Sequence, residues 1–88
     1  MLWNEENNLT TITGLIIPAN WDRDGNVTGV AISTHDEDEY LVQERAKGAE
    51  MLRLVRREVE VTGWAELDQG KKTITVKDYR LLQRYLQL

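Results

Sequence analysis

Residues 58–82 read EVEVTGWAELDQGKKTITVKDYRLL. Val59, Val61, Gly63 and Ala65 alternate with Glu58, Glu60, Thr62 and Trp64, the period-two pattern of a half-buried strand. Asp68-Gln69-Gly70-Lys71 then interrupts the alternation with turn-forming residues. Ile74 and Val76 alternate with Thr73, Thr75 and Lys77, so a further strand pairs back on the first.

Upstream, residues 46–55 (AKGAEMLRLV) change period. Ala46, Ala49, Leu52 and Val55 recur every third residue, with Arg45, Lys47, Glu50 and Arg53 between them, which predicts an amphipathic helix. Gly48 weakens it by about 1 kcal/mol relative to Ala. Earlier still, residues 9–17 are rich in β-branched side chains and end at Pro18. They read as a first strand, with Gly14 marking a bulge or sharp bend. Residues 20–26 are dense in turn formers and connect a hairpin to a second strand, 27–34. The acidic turn His35-Asp36-Glu37-Asp38 leads to a third strand, 39–43. At the other end, Leu81, Leu82, Tyr85 and Leu86 have helical spacing, and the tail reads either as a short C-terminal helix or as an extension of the last strand.

The resulting order is β-β-β-α-β-β, with no internal repeat or linker. It predicts an all-β fold with one short helix: a five-stranded Greek-key barrel in which a long first strand bends at Gly14 to serve both neighbours. Residues 11–82 resemble an oligonucleotide/oligosaccharide-binding (OB) fold domain, above all in residues 58–82 and the helical segment 46–55 before them. The resemblance lies in topology and glycine placement. It implies a ligand across strands two and three, between the loops at residues 19–26 and 68–72. The division expected along the chain is an N-terminal segment, 1–8, the barrel, 9–80, and an apolar tail, 81–88.

With 88 residues the chain suffices for one domain, burying about 60% of the surface its unfolded form exposes. It has no cysteine, hence no disulfide and no thiolate metal cage. The start MLWNEENN lacks the basic and apolar regions of a signal peptide, and no apolar run approaches the roughly 20 residues of a membrane span. A cytoplasmic protein with no membrane association is expected. The net charge of −4 conceals an asymmetry: residues 1–44 hold one cation, Arg23, against nine acids, and residues 45–88 hold ten cations against six acids. A dipolar surface follows.

Signatures of catalysis are absent: one histidine, no nucleophile elbow, and at Gly70-Lys71 a hairpin turn without the flanking residues of a phosphate loop. Asp22, Asp24 and Asn26 mimic the start of a calcium loop, but Val27 stands where the turn glycine belongs and Ser33 where the bidentate Glu belongs. An Asx-stabilised turn is the better reading. His35 with Asp36, Glu37, Asp38 and Glu39 has ligand chemistry without fixed geometry, and reads as a solvated acidic tip. The sequons at Asn8 and Asn26 are read as chance matches.

The aromatics and cations carry the functional expectation. Trp21, beside Arg23, reads as an indole stacking on a base or sugar, or as a side chain folded over the barrel end, and the cost of a wet aromatic favours the second. Trp64 faces outward if alternation is unbroken and inward if Gly63 carries a bulge. Trp3 reads as loosely packed or docked on the barrel. Arg53, Arg56 and Arg57, with Lys71, Lys72, Lys77, Arg80 and Arg84, suit either a phosphate backbone or a solvated face. The expectation is a non-enzymatic binding module, needing no cofactor and no metal, whose Trp21, Arg23, Tyr40, Lys71 and Lys72 contact an extended ligand, with single-stranded nucleic acid the first candidate. The alternative is a protein-interaction module using the apolar tail, Leu81, Leu82, Tyr85, Leu86 and Leu88, as a monomer or weak homodimer.

Overall fold

A computed structural model describes residues 9–82. Five strands and one short helix follow in the expected order: β1 (Leu9–Trp21), β2 (Val27–Thr34), β3 (Glu39–Val42), a 3-10 helix (Ala46–Leu54), β4 (Glu58–Asp68) and β5 (Lys71–Leu81). The strands close into a barrel in the order β1-β2-β3-β5-β4. All pairs are antiparallel except β3 with β5.

Closure depends on β1 serving two partners. Its first half, Leu9 to Leu15, pairs with β4, and its second half, from Gly14 onward, pairs with β2. Gly14 stands where the two ladders overlap, opposite Thr34 on one side and Val59 on the other. A side chain there would run into the Ser33 carbonyl, so the strand can bend at this point only as glycine. The bend carries no bulge, since the register with β4 runs unbroken across Gly14 and the register with β2 starts there without a shift.

The irregularities lie elsewhere. Strand β1 continues through Pro18, past the predicted end at residue 17, because Pro18 lies beyond the stretch paired with β4 and has only one ladder to satisfy. Ala19 is then an extra residue on β1, and Thr28 an extra residue on β2. In β5 the extra residue is Lys77, between the pairs Gly63↔Val76 and Thr62↔Asp78. It reverses the parity of the strand, so Tyr79 and Leu81 join Ile74 and Val76 against the core. The bulge therefore belongs to β5 and not to Gly63. Strand β4 keeps its alternation, with Val59, Val61 and Gly63 buried and Trp64 half-buried on the other face.

The helical segment corrects two expectations. It is a 3-10 helix, and its buried residues are Gly48 and Met51, not Ala46 and Ala49. Both differences follow from the spacing: a repeat of three matches the three residues per turn of a 3-10 helix better than 3.6. Gly48, Met51 and Leu54 are also three apart and form the inner stripe, while Ala46 and Ala49 are exposed. Met51 is fully buried in the core with Ile16, Val30, Ile32, Val42, Val59, Val61, Ile74 and Val76.

Of the two readings of the tail, strand extension holds for Leu81, which ends β5, and Leu82 donates its N–H to the Glu58 carbonyl at 2.9 Å. Tyr85, Leu86 and Leu88 of the tail, together with Trp3, Asn8 and Arg84, lie outside the described residues. Among the described residues no helix is long and apolar enough to cross a membrane.

Candidate functional site: a groove across the outer barrel face

On β2, Val30 and Ile32 belong to the core, so Ala31 between them lies on the outer face. Its partners across the ladders, Ile17 on β1 and Leu41 on β3, share that face. Of these aliphatic residues, Ala31 is buried at 3% exposure, and Ile17 and Leu41 on either side of it are half-buried. Beside them lies an open groove of about 570 Å3 lined by Ala19, Asn20, Ala31 and Leu41, with Glu37, Asp38 and Glu39 as an acidic lip and Gly70, Lys71 and Lys72 as a basic lip next to it, at the adjoining starts of β3 and β5.

The acidic lip is ordered by its own turn. The Thr34 N–H donates to the Asp38 carbonyl at 2.9 Å, the Glu37 N–H to the Thr34 carbonyl at 3.0 Å, and the Asp38 N–H to Thr34 Oγ1 at 3.2 Å. Glu37 takes a left-handed φ of 70° to close it. His35 Nε2 lies 3.9 Å from Glu58. Among the described residues no group of His, Cys, Asp and Glu is gathered for a metal ion.

The basic lip starts β5. Lys72 is two residues before the buried Ile74, so it takes the core-side register at the rim of the barrel. There its Nζ donates to Asp38 Oδ1 at 2.7 Å and stands 5.7 Å from the centroid of the Tyr40 ring. The hydrogen bond to Asp38 raises the Lys72 pKa above its ordinary value.

Two of the five residues singled out from sequence, Lys71 and Lys72, line this groove. Tyr40 does not: its ladder partner is the buried Ile32, so its ring packs on the core and meets the groove only beneath Lys72. Trp21 and Arg23 are on the β1–β2 hairpin outside the groove lining, and Trp21 is 58% exposed. The expected folding of Trp21 over the core is thus corrected. The paired bulges at Ala19 and Thr28 separate the hairpin tip from the barrel proper.

That tip is held by Asp22. Its carboxylate accepts the N–H groups of Asn26 and Asp24, each at 2.9 Å, and the Asn26 side-chain amide at 3.3 Å. The Asn26 backbone bond leads in holding Asp22 below its ordinary pKa. Its oxygens satisfy the turn, as an Asx-type loop requires.

The second basic cluster is split between the two ends of β5. Lys71 and Lys72 begin β5 beside Asp38, whereas Arg57 joins its backbone to Ile16 near the start of β4, which pairs with the far end of β5. There Arg80 Nε donates to Glu60 at 2.9 Å, and the Tyr79 hydroxyl to Glu50 at 2.7 Å, which raises the Tyr79 pKa. Sequence reasoning missed Ala31, Leu41 and the acidic lip as groove residues. The signal was present for the first two, because a small Ala opposite Leu on outward registers marks a depression.

No protein-family profile matches the chain, and no curated protein and no solved structure is detectably similar to it.

Proposed function

We propose that the chain is a non-enzymatic binding module of the OB type whose groove takes an extended polypeptide. Strand order β1-β2-β3-β5-β4 with parallel β3–β5 pairing supports the OB assignment, and the groove crosses the face where that fold holds its ligands. The observation that carries the ligand class is the chemistry of the lining. The lining combines three carboxylates and two lysines, side by side at the adjoining starts of β3 and β5, with the apolar side chains of Ala19, Ala31 and Leu41, and among the described residues no aromatic side chain lines it. Bases bind to single-strand platforms by stacking on aromatics, and phosphates by net positive charge. Carboxylates in excess of lysines beside aliphatic side chains suit a polypeptide with apolar and basic residues.

Selection of a random dodecapeptide library on the intact protein, with counter-selection on a Leu41→Arg variant of unchanged melting temperature, tests this. Enrichment of peptides that bind wild type at micromolar concentration and lose at least tenfold on Leu41→Arg supports the reading. Tryptophan quenching by dT20 or rU20 at low micromolar strand, abolished by Lys71→Ala with Lys72→Ala, would replace it with single-stranded nucleic acid. Enrichment that ignores Leu41→Arg rejects the groove.

A further inference from the structure

One corner of the groove already holds a cation. Lys72 Nζ is on the Asp38 carboxylate and over the Tyr40 ring, a combination of charge and π-face that binds ammonium and guanidinium groups. Both side chains of the ion pair are exposed to similar extents, 43% for Lys72 and 42% for Asp38, so the contact is solvated and exchangeable. We propose that Asp38 and Tyr40 form a cation subsite, occupied by Lys72 in the free protein and by a lysine or arginine of the bound polypeptide in the complex. The inference rests on the groove reading above and adds a residue-level specificity to it.

Three features support exchange of like for like. Glu37 and Glu39 flank Asp38 on the same lip, are exposed, and make no ion pair among the described residues, so a second cation arriving at this lip is favoured. Lys72 is the second residue of β5, directly after the exposed turn at Gln69 and Gly70, and its long stem can swing away without moving a buried group. The Tyr40 ring is fixed by core packing and stays in place when Lys72 leaves.

The opposite exchange, an anionic ligand taking Lys72 from Asp38, predicts opposite responses to the same substitutions. Fluorescein-labelled octalysine and octaglutamate are titrated by anisotropy at 50 and 150 mM KCl against wild type, Lys72→Met, Lys71→Met, Asp38→Asn and Leu41→Arg. Lys72→Met is expected to tighten octalysine by ~3- to 5-fold, the scale of an exposed ion pair, and by more than Lys71→Met, which makes the same change in net charge. Asp38→Asn weakens it by a similar factor. Equal effects of Lys71→Met and Lys72→Met overturn the subsite while leaving the groove standing. Octaglutamate binding that Lys72→Met weakens overturns it in favour of the anionic mode. Octalysine binding untouched by Leu41→Arg and by Asp38→Asn removes both the subsite and the groove.

Discussion

Gly14 and Ser33 meet so closely across the β1–β2 ladder that the Ser33 carbonyl fills the space where a Gly14 side chain would project. This contact allows one strand to pair with β2 and β4 at once, and so to close the ring. Gly14→Ala is expected to cost about 1–3 kcal/mol, the range for forcing an atom into filled space. Urea unfolding followed by tryptophan fluorescence measures it. A change below about 0.5 kcal/mol would mean that β1 bends without the close approach.

Met51 is fully buried where the 3-10 helix meets the barrel, and it carries the one long apolar side chain on the inner stripe that is completely enclosed. Met51→Ala is expected to destabilise by about 2–5 kcal/mol. The same unfolding experiment reads this, and a loss under 1 kcal/mol would show that the helix rests on the barrel without sealing it.

The Asp22 carboxylate is held below its ordinary value of 3.8 by the Asn26 and Asp24 N–H groups. A depressed folded-state pKa contributes stability that is present above the unfolded value and disappears as pH falls through the folded one. Melting temperature recorded from pH 5 down to pH 2.5 should therefore fall less steeply for Asp22→Asn than for wild type. Parallel curves for the two proteins would disprove the role assigned to the turn.

Trp21 is 58% exposed, whereas Trp64 is half-buried between Leu9 on β1 and Thr75 on β5. In a Trp3→Phe background, Trp21→Phe should change stability by no more than about 0.5 kcal/mol, as exposed positions do, and should remove most of the acrylamide-quenchable emission. Retention of that emission would place Trp21 under cover.

The element order was readable because each strand carries its own alternation: Val59, Val61 and Gly63 on β4, then Ile74 and Val76 on β5. Gly14 was readable because an isolated glycine in a β-branched strand has few other uses. The Lys77 bulge was not readable. An inserted residue leaves no local mark, and the parity change shows only once the partner strand is known. The helix type was half-readable, since the three-residue spacing was visible but fits two adjacent stripes, and core geometry selects Met51 over Ala49. At the groove, Lys71 and Lys72 were found through their loop. Asp38 was not, because its role comes from the fold bringing residues 38 and 72 together.

The ring has one narrow seam. Strand β3 has four residues, and it joins β5 through two register pairs, Leu41↔Thr73 and Val42↔Ile74, plus the Gln43 N–H on the Ile74 carbonyl. Every other join in the cylinder has more register pairs than this one, the next narrowest being β2–β3 with three. The Asp38–Lys72 contact lies at the mouth of that seam, but as an exposed ion pair it adds little to closure, so the ring is held there by the backbone pairing of β3 with β5. A segment bound across β3 and β5 would add a join where the ring has the fewest.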